Sequence, residues 1–457
     1  MNNDGLRAFL KKLEDHGELV TIDRPVALDF EFASVVETML QERRPIGLFT
    51  NVDHPSKMAL VGGVLGDIRR IALALDCTEQ EMNDRLTQAQ ENLIDPVVVD
   101  DAPFRENQFI GEDVRLQELL PIPRHNEGDG GAFITGGIMI TKDPVSGRQN
   151  YSFNRLQVKG DRKVGVVMNE WRHIARFYRD MESRDMRLPC AVAIGVDPAV
   201  EIAAGFRIEE DEGALAGAIN GRALELAACA TVDLLVPAAA EIVVEGFIRP
   251  HLREDEGPLA EFTGHYGEIW KAPVMDMTAV SFRNGAVYQT IVPASFEHVY
   301  IGNVLPREPM LKKMVSHVSP NILDVHLTPY SGGFLAVISI DKKNAGEPKN
   351  IGMAALMTHV NIKMAVVVDG DVDIYNPSDV LWAISTRVDA NRDILIAPYA
   401  QGMENDPTTG PDGTHTKMSI DATIDLKIRD DYRRVRYPKV DLSQYYPGGS
   451  DGGPGCD

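Results

Sequence analysis

The chain has 457 residues, more than one ordinary hydrophobic core organises, so two or three domains are expected. With 44% hydrophobic and 25% charged residues and no long low-complexity tract, it reads as globular rather than disordered. A formal charge of −22 at pH 7 argues against nucleic acid or anionic membrane as partners, because both are bound through basic patches; the acidic balance is that of a cytoplasmic enzyme.

Leu6, Phe9, Leu10 and Leu13 recur at helical spacing and Gly17 stands where a helix C-cap would, so the start reads as a helix, not a secretory signal. Residues 1–105 alternate helical patterns (4–16, 30–43, 79–92) with short apolar strands (47–51, 59–64), which predicts a small N-terminal α/β domain. The stretch "DPVVVDDAPFRENQF" reads as a linker. A central domain, 106–305, is mainly β, interrupted by a helix near 170–183 and an Ala- and Leu-rich helical stretch near 214–230. In it, "DPVSG" joins two strand patterns, and Asn284-Gly285 between apolar runs is a hairpin signal. The most apolar stretch, 226–248, is broken by Asp233, Pro237 and Glu241, so no run of about 18 apolar residues exists.

Residues 306–457 return to α/β, with strands near 321–327, 334–341 and 363–369 and helices near 308–318, 348–358 and 377–387. Beyond 403 the Gly-, Pro- and Asp-rich sequence suggests a tail ordered by docking. Cys77, Cys190, Cys229 and Cys456 are scattered without a C-x-x-C pair, the pattern of free thiols in a reducing compartment.

Walker A, G-x-G-x-x-G, G-x-S-x-G and H-E-x-x-H motifs are absent. Asp369, Asp371 and Asp373 follow a buried strand at calcium-loop spacing, but Ile374 replaces the required glycine and Val380 the bidentate glutamate, so calcium is rejected. In "EDEGPLAEFTGHYG", Glu256 and Glu261 stand five apart around Gly257, Pro258 and Ala260, a spacing that suits neither one helix face nor one strand face. "NYSFNR" puts Asn150 and Arg155 near a strand end, "NEWRH" puts His173 at a helix start, and "EEDEGALAG" opens the Ala-rich stretch with Glu212. An amide oxygen, an imidazole and a carboxylate form a plausible octahedral set for Mn²⁺ or Mg²⁺, with phosphate or water completing the shell.

Taken together, the chain resembles the UbiD-like decarboxylases. The resemblance is carried by "GELVTIDRPV", "LPIPRH", "GGIMITKDP", "PAAAEIVVEGFI", "EGPLAEFTGHYG" and "DGDVDIYNPSDVLWAISTR", and it runs nearly end to end. It implies an α/β and β mixed fold: a small N-terminal α/β domain, a central split β-barrel like that of flavin reductases, and a C-terminal α/β oligomerisation domain. It implies prenylated FMN as covalent electron sink for reversible, non-oxidative loss of CO₂ from an aromatic, heteroaromatic or α,β-unsaturated acid.

By the same resemblance, Asn150, His173 and Glu212 are the Mn²⁺ ligands, with K⁺ alongside, held partly by the same glutamate. Ser152, Phe153, Asn154 and Arg155 line the flavin, and Arg155, Glu256 and Glu261 form the catalytic set, with Glu261 as proton donor. Tyr151 stands where some members have Trp, and "ALMTHVNIK" offers His359 or Lys363 in place of a phosphate-binding lysine. The implied partners are a flavin prenyltransferase that supplies the cofactor and a second copy of the chain, as a homodimer or an assembly of dimers. Phe296, His298, Tyr300 and Arg307 could reach the substrate. His298 and Arg307 would suit a second polar or acidic group on it, and would equally serve as interdomain contacts. The competing readings are an FMN-dependent NAD(P)H oxidoreductase of flavin-reductase type, which lacks a dinucleotide fingerprint, and a metal-stabilised assembly subunit without flavin, which leaves the Arg–Glu–Glu set no purpose.

Overall fold

The computed structural model describes residues 5–170, 172–435, 437, 438, 440 and 445. The chain divides into two compact units, Met1–Pro309 and Met310–Asp457. The opening helix, Leu6–Asp15, buries Leu6, Phe9, Leu10 and Leu13, and Gly17 follows it in the left-handed conformation (φ 72°) that a helix C-terminus favours.

Strands Leu19–Ile22, Ile46–Phe49 and Ala59–Gly62 form the N-terminal sheet, and its fourth strand is Val287–Thr290. Val287–Thr290 runs parallel to Ala59–Gly62. The hairpin expected at Asn284-Gly285 is therefore corrected: the Asn-Gly turn is there, but the strands on either side of it enter different sheets. A tight turn fixes the direction of the chain, not the partner of the strand that follows. Arg7 adds a second tie, donating to buried Glu241 at 2.8 and 2.9 Å, while Val287 N–H donates to the same carboxylate. These long-range pairings join residues 1–105 and 106–305 into a single unit.

The centre of that unit is a nine-stranded sheet in which every neighbouring pair is antiparallel. Its spine is Ile242–Glu256 against Trp270–Phe282, with register shifts after Glu245 and after Ile248 that bend the ribbon. Strands Gln149–Phe153 and Leu156–Gly160 lie near opposite ends of the strand order, yet only Asn154 and Arg155 separate them. Three peptide steps reach at most about 11 Å, so the sheet must curl until its two ends meet at Arg155. This is the half-barrel that the family resemblance implies. The supposed linker proves to carry two strands: Val97–Val98 pairs with Glu225–Ala228, and Asn107–Ile110 pairs with Trp270–Phe282. Both are too short to show a pattern of their own.

The second unit is built on a five-stranded mixed sheet, ordered Ile322–Leu327, Leu335–Ile340, Met364–Asp369, Thr414–Ala422 and Ile394–Gln401. Val337, Val366, Val368 and Ile420 pack with Val380 and Ala383 of helix Pro377–Arg387. Thr414–Ala422 falls where a tail was expected, which corrects that expectation for these residues; part of the remaining tail lies outside the described residues. Polar side chains hid the strand. Buried His415 pairs with Asp406 at 2.9 Å, buried Lys417 donates to the carbonyls of Leu356 and His359, and Asp421 accepts from Thr423 N–H. Each would look like a surface residue in sequence, and each finds a polar partner inside the fold, although Nε2 of His415 is left without one.

Candidate active site

The seam of the curled sheet places Arg155, and the end of a long strand places Glu256. Ile242–Glu256 is buried on both faces at its start and carries Glu256 to its last position, wholly buried. Arg155 grips Glu256 with two bonds, Nε to Oε1 at 3.1 Å and Nη2 to Oε2 at 2.8 Å. Its Nη1 donates to Oε1 of Glu261, which arrives on the loop that follows Glu256. One guanidinium thus holds both carboxylates, with side-chain exposures of 11% for Arg155, 0% for Glu256 and 13% for Glu261.

Burial pushes the Glu256 and Glu261 carboxyls above the ordinary glutamate range, and the Arg155 charge opposes it; at Glu261 the neighbouring Glu256 charge adds a further push. One cation cannot neutralise two buried anions, so the trio favours taking up one proton. Glu256 holds the two-bond contact, which leaves Glu261, the more accessible of the two, as the carboxyl suited to carry it.

On the neighbouring strand, Asn150 Nδ2 donates to Glu212 Oε1 at 2.7 Å and Tyr151 N–H to Oε2 at 3.2 Å. Glu212 opens helix Glu212–Asn220, whose N-cap Asp211 accepts from the N–H groups of Gly213 and Ala214. Burial pushes the Glu212 carboxyl up to about 7. His173 opens helix His173–Ser183, and burial lowers its pKa, keeping the imidazole neutral as a metal ligand must be. Its Nε2 and the Oδ1 of Asn150 are buried without a hydrogen bond, and Nε2 lies 3.7 Å from Glu209 Oε1. Two orphaned acceptor atoms and a buried carboxylate fit a divalent cation. Among the described residues no three His, Cys, Asp or Glu side chains cluster for a metal. Ser152 and Asn154 are buried and joined by a 2.9 Å bond, and Phe153 ends the strand half-buried.

Three further side chains stand near the site: the guanidiniums of Arg172 and Arg307 and the neutral imidazole of His298. Arg172, His298 and Arg307 are each half-buried. Burial, then the charge of Arg172, lowers Arg307 to about 9; burial, then Arg155, lowers His298 to about 4. His298 Nδ1 accepts from Ala294 N–H, so the proton of the neutral ring sits on Nε2, and the ring packs edge-on to Phe262, next to Glu261. Arg307 is anchored by the carbonyl of Asn303 at 3.1 Å. His298 and Arg307 were legible as site candidates. Arg172 was missed, and its only signal was adjacency to His173. In the second unit Lys363 is held by Asp406 and Thr408, while Lys417 binds the last carbonyls of helix Glu347–Thr358.

Three family profiles cover this chain in succession: the N-terminal domain of 3-octaprenyl-4-hydroxybenzoate carboxy-lyase over 10–90, its Rift-related domain over 97–296 and its C-terminal domain over 300–422. The chain belongs to the UbiD family. Among curated relatives, the anhydromevalonate phosphate decarboxylase of Methanothermobacter thermautotrophicus is 36% identical, covering 94% of this chain and 99% of its own. The phenolic acid decarboxylase of Bacillus subtilis is 31% identical over 91% and 92% of the two chains. The UbiD-class enzyme HmfF from Pelotomaculum thermopropionicum, solved with FMN, is 39% identical and superposes with a TM-score of 0.93 over 97% of this chain and 100% of its own. An evolved dimeric form of HmfF, solved with prenylated FMN, is 37% identical, with a TM-score of 0.89 over 97% and 100% of the chains.

Proposed function

We propose that the protein is a carboxy-lyase that removes CO₂ from an aromatic, heteroaromatic or α,β-unsaturated carboxylic acid. The observation that carries this reading is the buried Arg155–Glu256–Glu261 trio, one cation against two carboxyls, inside a fold whose relatives bind FMN or prenylated FMN. Bound prenylated FMN would supply the electron sink for decarboxylation.

The chain's own residues do the rest. Arg155 orients the acid and holds Glu256 ionised, and Glu261 delivers to substrate carbon the proton that replaces CO₂. Asn150, His173 and Glu212 would hold Mn²⁺ or Mg²⁺, with K⁺ as a further cation, to neutralise the cofactor phosphate, and Ser152, Phe153 and Asn154 would line the flavin. Arg172 and Arg307 suit the anionic ends of the ligands. A flavin prenyltransferase supplies the cofactor, and the free thiols Cys77, Cys190 and Cys229 suit a reducing, cytoplasmic setting.

Assembly as a homodimer or a set of dimers uses the second unit. Its edge strand Ile394–Gln401 exposes Ile396 and Tyr399, and Met357 and Leu381 are exposed on its helices. Light scattering at micromolar concentration should show at least a dimer.

The deciding experiment is co-expression with a flavin prenyltransferase, then measurement of CO₂ release from benzoic, furoic, pyrrole, indole and cinnamic acids, with metal analysis of the same sample. Release from at least one acid, dependent on the prenylated cofactor, is expected. A protein that carries plain FMN and oxidises NAD(P)H instead would overturn the reading.

A further inference from the structure

The loop that carries Glu261 is held by groups that take no part in the trio. Gln157 lies two residues beyond Arg155 on strand Leu156–Gly160 and is buried. Its Nε2 donates to Gly130 O at 2.9 Å, and its Oε1 accepts from Gly257 N–H at 3.0 Å. Since one partner is a carbonyl and the other an N–H, the orientation of the amide is determined.

The segment 126–131 bonds to the same loop three more times. Gly130 N–H donates to Pro258 O at 2.7 Å, Ala260 N–H to Asp129 Oδ1 at 3.2 Å, and Gly128 N–H to the Tyr266 hydroxyl at 3.1 Å. Asp129 is itself fixed by Asn126 N–H at 2.8 Å. The approach is close enough to require glycine: a Cβ on Gly130 would stand 2.1 Å from Gly257 O.

We propose that Gln157 is a positioning residue for the Arg155–Glu256–Glu261 trio, acting by clasping the 126–131 segment to the turn at Gly257. The inference rests on the decarboxylase reading and specifies what aims its proton donor. Gly257 (φ 96°) and Gly264 (φ 78°) sit in left-handed conformations, so the loop backbone has many alternatives once released. The carboxamide offers a donor and an acceptor in one neutral, planar group. Glutamate loses the donor, and methionine loses both. Releasing the clasp leaves the part-buried Gly257 N–H and Gly130 carbonyl without these partners and lets Glu261 leave the reach of Arg155. A displacement of order 1 Å at a reacting group can cost about 10²-fold in rate, so even partial release should be measurable.

The test uses full-length protein loaded with prenylated cofactor, as wild type, Gln157→Met and Gly130→Ala. Gly130→Ala drives the segment off by crowding, its Cβ standing 2.1 Å from Gly257 O and 2.9 Å from Gln157 Nε2, whereas Gln157→Met removes the bonds, so the two variants release the same clasp by different routes. Amide hydrogen exchange across 257–268 should be at least ~10-fold faster in both, while exchange in strand Ile242–Glu256 before Ile248 stays as in wild type. Flavin content and KM should be retained, and kcat should fall by roughly 10-fold or more. Gln157→Glu, which keeps the acceptor for Gly257 N–H, should recover part of the protection and part of kcat. Wild-type exchange in both variants would overturn the clasp, and faster exchange with unchanged kcat would overturn its role in positioning. If wild type releases CO₂ from no acid tested, the decarboxylase reading fails, whereas the exchange data still decide whether the clasp exists.

Discussion

Arg155 stands between Glu256 and Glu261, and Arg387 stands between Asp369 and Asp371. The two trios have the same formal charge, but their surroundings differ. In the second unit Arg429 also donates to Asp369 at 3.0 Å, and Arg434 donates to Asp379 and to the carbonyl of Asp371. Three guanidiniums therefore meet three aspartates, and the Arg434 charge holds the Asp379 carboxyl below its ordinary range. The Arg155 trio has no second cation in its bonds, and burial drives both of its glutamates upward instead. A balanced network acts as scaffold, each carboxylate meeting a guanidinium. An unbalanced one keeps a carboxyl ready to hold and release a proton. Glu201 extends the series: it is fully buried, the Gln289 side chain is its polar neighbour, and its charged neighbours are Glu297 and Asp197.

Glu261→Gln would break the comparison most sharply. It keeps size and polarity but cannot exchange a proton, so product formation should fall by ~10²-fold or more with flavin content intact. CO₂ release and solvent deuterium in the product measure it, and near-normal turnover would move the acid role to Glu256. Arg387→Ala should do the reverse. It takes one guanidinium from Asp369, which keeps Arg429, and the two-bond partner from Asp371, lowering stability by about 3 kcal/mol as read by thermal unfolding, with little change in turnover of the folded enzyme at 25 °C. A comparable loss of turnover would erase the distinction between site and scaffold.

The third test concerns pH. Glu201 has a higher pKa folded than unfolded, so the folded chain binds the extra proton. The stability this gives is fully present below the ordinary glutamate pKa and is lost as pH rises toward and through the folded value. The slope in that window is about 1.4 kcal/mol per pH unit. Glu201→Gln removes the ionisation, so its Tm advantage over wild type should widen from pH 5 to pH 8; a gap independent of pH would mean that Glu201 does not titrate on unfolding. The smallest effect belongs to Asn376, whose Oδ1 accepts from Ser378 N–H to cap the helix that carries Asp379 and Arg387. Asn376→Ala should cost about 1 kcal/mol in thermal unfolding and leave catalysis alone.

Periodicity made the regular elements legible. Leu6, Phe9, Leu10 and Leu13 marked a helix because they form one buried stripe, and Ala365–Val368 marked a strand because both of its faces are covered. Long-range pairing was not legible, as at Val287–Thr290, where local turn chemistry is silent about the eventual partner. Strand Thr414–Ala422 escaped because its buried positions include His415, Lys417 and Asp421, polar residues that find partners inside the fold. In the site, the odd spacing of Glu256 and Glu261 was informative by itself, and the family resemblance supplied Arg155 as their partner. The structure brings these three together and joins Asn150 to Glu212, while it puts the orphaned Nε2 of His173 beside Glu209. Gln157 left no trace in the sequence, since a neutral amide bonded to two backbone groups has no motif.

The parallel pairing of Val287–Thr290 with Ala59–Gly62 also sets a timetable. During synthesis the N-terminal sheet emerges with one edge open, and the strand that closes it is made only after the whole curled sheet has been translated. At 5–20 residues per second that wait is roughly 10–45 s. For that interval the backbone donors and acceptors of Ala59–Gly62 are an unpaired strand edge, available to any other nascent chain. A fragment ending at residue 105 holds the same edge open permanently, and it should self-associate on light scattering at concentrations where the full-length chain forms only its defined assembly.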